Sequence, residues 1–519
     1  MESGADGVRC KLNFVRDPDV IVVGSGPNGL VAANVLSRRG FRVLVLEANP
    51  RRPGGALGSE ELTLPGFVHD VGAAFFPFAS SSPAFRELDL TEAGVRWLHL
   101  PFESCHPALD GSYACIARDS EVAAAHFGSV RDGEVWRKLA TSHARMEPEL
   151  LRLLLGPFPA LTPALSLGLS NLSKILWRFA RSGGNLSRSL FRSEAARRVL
   201  PSFGLHVDVG PEDWFGSGLS YILGMTASSG GYAVPAGGAQ SVTNALVTLL
   251  ESCGGRLRLG ARVTNIVVSE GRAQAVRLES GEEIRARRGV LADTAAPTLY
   301  LKLLDSALLP RWLVRRMRHF RQGFGTFKLD FALSSAVPWS NEQARQSAVV
   351  QVSESLADLA RFTREIRSGK LPEHPYLVVG QQSLADPFRA PRAGHTLYCY
   401  THVPSHIAGG WQSQRESFAD RITERLEGLA PGFSESVLER HISAPPDLEA
   451  ANANLIGGDL GGGANAWHQQ LLFRPIFPYF RYRTPIAGLY LCSSYTHPGG
   501  GIHGMCGYNA AEAAARDLG

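Results

Sequence analysis

One stretch near the N-terminus restricts what this chain can fold into more than any other. Asp19-Val-Ile-Val-Val23 is a short, apolar, β-branched run, the pattern of a central strand buried on both faces. It leads into Gly24-Ser-Gly26-Pro27-Asn28-Gly29, after which Leu30 to Arg39 reads as a helix that Gly40 ends. The first glycine permits a tight turn, the second lets a pyrophosphate approach the backbone, and the third lets the helix pack closely on the strand. The helix N-terminus turns free amides and the positive end of its dipole toward the phosphates. A second strand, Phe41 to Leu46, delivers Glu47, with Ala48 beside it, where a carboxylate accepts hydrogen bonds from an adenosine ribose. Together these elements specify a Rossmann-like α/β unit that binds a dinucleotide. On these residues alone the choice between FAD and NAD stays open.

Arg51-Arg-Pro-Gly54-Gly55-Ala56 follows the acid directly and offers a second small-residue loop where backbone can approach a dinucleotide, which nicotinamide enzymes do not require. At the other end of the chain, Gly488 to Cys492 reads as a strand, Ser493 to Gly504 as a turn rich in small residues, and Met505 to Leu518 as a helix. A glycine-rich turn at a helix N-terminus suits the negative charge that accumulates on a reduced flavin. With its GxGxxG, acid and GG pair the chain resembles the flavoprotein superfamily that includes amine oxidases and phytoene desaturases. Within it, the chain is most similar to phytoene desaturase-type enzymes and the related pyridine nucleotide-disulphide oxidoreductase domain proteins. The likeness continues through Leu64 to Gly72, Val234 to Gly238, Gly457 to Gly461, Arg474-Pro475 and Tyr482 to Pro485.

That resemblance implies FAD as cofactor, held by Gly24, Gly26, Pro27, Asn28, Gly29, Glu47, Ala48, Gly54, Gly55 and Ala56. It places Val263 against the adenine, and Ser493, Ser494, Gly501, Ile502 and His503 against the isoalloxazine and ribityl chain. Ser493 departs from the family, which usually has glycine there. Motifs for one cofactor fall at both ends and in the middle, so the Rossmann-like FAD-binding lobe is discontinuous, built from residues 17–100, 230–296 and 481–519. The inserts, 101–229 and 297–480, form an α+β substrate lobe. The first reads as mainly helical with proline interruptions. The second carries strand-like runs at Thr326 to Leu333, Ala348 to Val352, Tyr376 to Gly380 and Thr396 to His402, which predict a mixed sheet beneath helices beside the flavin. Asp293, at the end of the strand closing the middle segment, reads as the cap of a helix starting near Ala295.

Composition narrows the partners. With 519 residues, 44% hydrophobic and 19% charged, the chain has enough apolar material for a large core in more than one lobe. A net charge of +5, spread along the sequence, gives no argument for nucleic acid. Seven scattered cysteines without CxxC spacing suggest neither a disulfide framework nor a zinc site, and the N-terminus lacks the apolar core of a secretory signal, so a cytoplasmic location is expected. Leu153 to Ser173 has no charged residue, but Pro157, Pro159 and Pro163 argue against a helix crossing a bilayer. Lys174, Arg178 and Arg181 recur at helical spacing just downstream, with Arg188 and Arg192 following. They read either as the solvated face of a lid helix or as a basic amphipathic helix on an anionic membrane, the lid being the plainer choice.

Several residues invite a chemical role. Lys328 matches a lysine that amine oxidases hold near flavin N5 through water; on an alternating strand it reads equally as solvent-facing, with Phe327, Leu329 and Phe331 on the core side. His497 and His503 stand in the flavin loop, where they can shuttle a proton, hydrogen-bond the ring or brace the loop. His69-Asp70 reads as an orienting pair or, more simply, a polar cap at a strand end, and Cys506 as a packed helix cysteine. The resemblance implies desaturation of a hydrophobic polyene or long-chain acyl-type substrate by hydride transfer to flavin N5. Such chemistry needs a positioned C–H bond more than an acid–base dyad. Redox-neutral double-bond isomerisation or saturation, amine oxidation, and a flavin-binding scaffold are the alternatives. No second GxGxxG comes with a strand and acid, so no NAD(P)H domain is expected, and the electron acceptor stays open.

Overall fold

The computed structural model describes residues 17–519; the N-terminal sequence read above for targeting, with Cys10, lies outside the described residues. Five parallel strands form one sheet in the order Leu489–Leu491, Gly289–Ala292, Val20–Val23, Val43–Leu46, Arg256–Arg258. Every residue of the Val20–Val23 and Val43–Leu46 strands is buried, and alternate side chains go to different cores. Val20, Val22, Val43 and Val45 join Leu30, Val31 and Val35 of the first helix. Ile21, Val23, Leu44 and Leu46 join Ile266, Val276 and Leu278 of an antiparallel sheet formed by Val263–Ser269, Arg272–Leu278 and Glu283–Arg285. This two-sided burial is why the sequence shows an unbroken apolar run.

The first helix spans Pro27–Arg38, starting three residues before the sequence reading because Pro27 is tolerated in a first turn. The last helix, Met505–Leu518, lies so close to it that a Cβ on Gly507 would fall 1.9 Å from the Asn28 carbonyl oxygen. The FAD-side sheet therefore draws its strands from the start, middle and end of the chain.

A second sheet has seven strands in the order Val437–Ser443, Gly325–Leu333, His395–Val403, Leu377–Gly380, Ser347–Val352, Phe102–Pro107, Tyr113–Ile116. It is antiparallel except where Ser347–Val352 runs parallel to Phe102–Pro107, a mixed sheet as the sequence predicts. Its last two strands come from the insert read as mainly helical. The polar Glu103, Ser104 and His106 hide them in the sequence, yet all three are fully buried: Glu103, for instance, accepts the Tyr232 amide at 2.6 Å and the Arg118 guanidinium at 2.9 Å.

The rest of that insert is helical. Val130–Leu155 and Leu161–Phe179 are separate helices, broken at Pro157 and Pro159, with Pro163 absorbed in the first turn of the second. Among the described residues no helix is long and apolar enough to cross a membrane. The basic spacing on Leu161–Phe179 is not a free face. Arg178 donates to the Tyr221 hydroxyl at 2.9 Å, and the Arg181 guanidinium lies 3.8 Å over the Trp177 ring, leaving Lys174 in solvent. Beside small hydroxyl residues, that helix exposes the apolar Leu161, Leu165, Leu169, Leu176 and Trp177.

Candidate active site

The Gly24–Gly29 turn is held by backbone and by one distant carboxylate. Gly24 has φ +97°, and a Cβ on Gly29 would lie 2.3 Å from the Gly24 carbonyl oxygen, so strand and helix meet with no room for a side chain. Gly26, the N-cap, cannot cap the helix by side chain; the Asp293 carboxylate does so from 264 positions away, accepting the Gly29 amide at 3.0 Å. This corrects the sequence reading of Asp293. The amide of Ala295 instead donates to Asn454 Oδ1 at 2.8 Å, and Asn454 Nδ2 donates to the Asp293 carbonyl at 3.0 Å. Burial pushes the Asp293 carboxyl up to about 7; the amides of Gly29 and Gly26 pull it back, and the Glu47 carboxylate adds to the rise.

The remaining residues read for the dinucleotide gather around this turn. Glu47 Oε2 accepts the Ser25 amide at 2.9 Å and hydroxyl at 2.6 Å, and Oε1 accepts the Asn49 amide at 2.8 Å. Three bonds leave a lone pair for a ribose hydroxyl. The Gly54 amide donates to the Ser25 carbonyl at 3.1 Å, and a Cβ on Gly55 would stand 3.4 Å from Gly26 Cα, so the second small-residue loop, continuing into Ala56, lies on the first. Ala48 follows Glu47, whose carbonyl accepts the Ala261 amide at 2.7 Å, which brings the start of the Val263 strand to the acid. Bare backbone, a helix start without a side-chain cap from its own N-cap residue, flanked by Pro27 and Asn28, and an acid with spare acceptor capacity are what the adenosine and pyrophosphate of FAD need.

The flavin loop is braced from several sides. Ser493 Oγ donates to the Thr294 carbonyl at 2.6 Å, using the hydroxyl that glycine would lack to tie the loop to the parallel sheet. Arg474, fully buried, donates to the carbonyls of Ser494, Gly461 and Gly462 at 2.8, 3.1 and 2.9 Å. Asp459 accepts the amides of Gly323, Gly461 and Gly463 at 2.7, 2.6 and 2.7 Å. Ile502 stands at φ +50°, strained for a β-branched residue, next to Gly501 at φ +134°. His503 Nδ1 accepts the Met505 amide at 3.0 Å and so caps the last helix, while the His503 carbonyl accepts the Ser82 hydroxyl at 2.6 Å. His497 Nε2 donates to the Gly156 carbonyl at 3.1 Å, closing the C-terminus of Val130–Leu155 together with Asn509, which donates to Leu155 at 2.9 Å. Burial holds both imidazoles neutral, His497 pushed down to about 4 and His503 to about 3. Burial likewise raises the Cys506 thiol to about 11.

Lys328 lies on the Gly325–Leu333 strand, whose two faces differ. Phe327 and Phe331 pack on Trp411, Phe418 and Phe433 of the outer helices. Thr326, Lys328 and Asp330 stand opposite His402, Tyr400 and Tyr398 on the face turned toward the FAD lobe, where Tyr398 donates to the Gly72 carbonyl at 2.8 Å. Lys328 is 2% exposed, so the solvent-facing reading is corrected: its ammonium pairs with Asp330 and sits 4.6 Å over the Tyr398 ring. His69 Nε2 meets Thr63 Oγ1 at 2.8 Å and its Nδ1 lies 3.7 Å from Asp330. Asp70 caps the distant helix Ala239–Ser252 through the Ala239 amide at 2.8 Å and pairs with Arg389 at 2.5 Å. Both link the lobes. Asp459 and Arg474 fall in stretches that carry the family likeness, but their roles, like those of Asn454 and Arg389, have no local signal, because their partners are backbone groups or charges elsewhere in the chain.

The family model described as flavin containing amine oxidoreductase matches residues 28–518. Mouse pyridine nucleotide-disulfide oxidoreductase domain-containing protein 2 is 30% identical over an alignment covering 100% of this chain and 96% of its own. The phytoene desaturase (neurosporene-forming) of Cereibacter sphaeroides is 24% identical, with 96% of this chain and 93% of the relative aligned. An oxidoreductase of known structure from Methanosarcina mazei shares the fold, with a TM-score of 0.62 over 95% of this chain and 99% of that one at 17% identity.

Proposed function

The chain belongs to the flavin-containing amine oxidoreductase family and is an FAD-dependent oxidoreductase, and from that premise we propose that it desaturates a long apolar substrate by removing a hydride and a proton from neighbouring carbons. The observation behind this reading is the sheet face turned to the FAD lobe. Tyr398 and Tyr400 meet edge to face there, His206 and His402 lie against Tyr400, and Phe203, Tyr232, Phe75 and Phe324 pack on those in turn, walls suited to an apolar chain. Bound FAD supplies a two-electron acceptor for the hydride.

The chain's own residues hold, orient and exclude water. The glycine turn and Glu47 fix the adenosine end, and Arg474 ties the flavin loop to the Gly461–Gly463 turn that Asp459 shapes. Lys328, paired with Asp330 under the Tyr398 ring, positions the aromatic wall, and the neutral His497 and His503 brace the loop. The helix Leu161–Phe179, rooted beside His497 through the Phe158 ring, serves as the lid. Its exposed leucines and Lys174 suit contact with an anionic lipid surface from which an apolar substrate enters. Flotation with anionic vesicles, lost on replacing Leu165 and Leu169 by glutamate, tests that contact.

The chemistry is tested by adding phytoene or a long-chain acyl substrate anaerobically to the FAD-loaded protein. Desaturation bleaches the flavin absorbance and yields a product lighter by two hydrogens. A product of unchanged mass moves the assignment to isomerisation, bleaching only by a primary amine moves it to amine oxidation, and no bleaching at all leaves a scaffold.

A further inference from the structure

At one end of the aromatic wall a group of buried polar atoms goes unused by the desaturation of a pure hydrocarbon. Asp208 follows the helix Val199–Leu205 in a left-handed conformation, φ +61°, that turns its side chain inward, 6% exposed. Its Oδ1 makes no hydrogen bond and stands 3.3 Å from Nδ1 of His402. His402 is 3% exposed, and neither ring nitrogen makes a well-formed hydrogen bond, although the carbonyls of Leu205 and Gly325 lie near. His206, its ring stacked on Tyr232 and Phe203, meets the Tyr400 hydroxyl at 3.3 Å through Nδ1 and makes no well-formed hydrogen bond through Nε2, although the Gln351 side chain lies near. An unpaired buried polar atom costs about 1–3 kcal/mol, and these stand on a carboxyl and two rings gathered about Tyr400, whose ring centre lies 5.7 Å from that of His402 and 6.3 Å from that of His206.

The cluster adjoins the flavin loop. A Cβ on Gly461 would lie 3.5 Å from Asp208 Oδ2, and one on Gly500 would lie 2.9 Å from the Gly461 carbonyl. One peptide layer therefore separates the cluster from the Ser493–Gly504 turn. We propose that Asp208, His402 and His206 form a hydrogen-bonding pocket for a neutral oxygen function, a hydroxyl or carbonyl, carried by an otherwise apolar substrate. The proposal rests on the desaturation reading of the preceding section and names the polar end of the apolar substrate it takes.

Charge selects the ligand class. Burial, and then the Asp459 carboxylate, hold Asp208 well above the usual carboxyl range, and burial pushes His402 down to about 4 and His206 to about 3. Burial thus disfavours charge on all three groups, which suits a neutral partner able to donate and accept hydrogen bonds. Its surrounding cations are engaged elsewhere: Arg367 pairs with Asp213 at 2.6 Å and lies over Phe324, and Arg474 is spent on the loop carbonyls. A carboxylate ligand finds no free cation there, and burial disfavours the charged carboxyl that an ammonium ligand needs.

The test is binding to the FAD-loaded protein, read by the shift of the flavin absorbance band, with geranylgeraniol, the corresponding aldehyde and the matched hydrocarbon lacking the oxygen. The alcohol and aldehyde are expected to bind at least about ten-fold more tightly than the hydrocarbon. His402→Phe, which keeps the ring, and Asp208→Gly, which suits the left-handed backbone, should each abolish that preference and leave hydrocarbon affinity and FAD content unchanged. Equal wild-type affinity for the three probes, or no shift with any of them, overturns the proposal. So does a variant that weakens all three alike, or one that loses FAD while its apoprotein melts like wild type. Turnover is not read, so failure of the desaturation reading leaves this outcome distinct.

Discussion

The two ends of the FAD site are built by different means. At the adenosine and pyrophosphate end, strand, turn, helix and acid follow one another within Val20 to Glu47, and the decisive contacts are backbone contacts that only glycine allows. At the flavin end, the Ser493–Gly504 loop is held by Arg474, Ser82 and Gly156, which reach it from separate parts of the chain, with Asp459 shaping the Gly461–Gly463 turn that Arg474 ties to it. The first end is a local conformation with a ligand-shaped surface. The second is a convergence of buried charges and hydrogen bonds, which lets its chemistry vary while the cofactor's anchor stays fixed.

The largest effect should come from the convergent side. Lys328→Met strips the buried Asp330 of its cation and is expected to cost about 3–5 kcal/mol in urea unfolding. Adding Asp330→Leu should recover most of it, whereas a Lys328 acting in the chemistry would leave the recovered double variant folded, FAD-loaded and inactive. On the local side, Gly29→Val drives a side chain into the Gly24 carbonyl and should cost about 3 kcal/mol together with FAD retention, read by unfolding and by bound flavin absorbance.

Asp293 joins the two ends and gives them a pH dependence. Its folded carboxyl, near 7, lies above its ordinary value of 3.8, so the folded state holds the proton longer than the unfolded chain does. Stability should therefore fall as the pH rises from 3.8 to about 7 and level off above, and Asp293→Asn should flatten that slope. FAD affinity should drop about ten-fold across that titration in the wild type, as a carboxylate appears beside the pyrophosphate, and stay flat in the variant. The smallest effect belongs to Glu47→Gln, which keeps the shape of the ribose acceptor and loses its charge; about ten-fold weaker FAD binding by fluorescence titration is expected.

How much was legible follows the same division. The glycine turn, the acid, the GG pair and the terminal glycine-rich loop are readable because spacing along the chain is also spacing in the site. The runs at Thr326 to Leu333 and Thr396 to His402 are readable as strands because apolar and aromatic residues fill them. The Phe102–Pro107 strand is not, since Glu103, Ser104 and His106 look like loop until burial and distant partners satisfy them. Asp293 is visible as a capping residue, but not which helix it caps.

The sequence by itself therefore determined a dinucleotide-binding α/β unit and, through the family's motifs, FAD, because those features depend on local backbone geometry and on which side chains are absent. Only the tertiary structure decided that Lys328 is buried against Asp330, that His497 and His503 brace the loop, and that Asp208, His402 and His206 leave polar atoms unpaired around Tyr400. Those outcomes depend on burial and, for His497 on Gly156 and His503 under Ser82, on partners hundreds of residues away, and no local pattern encodes them.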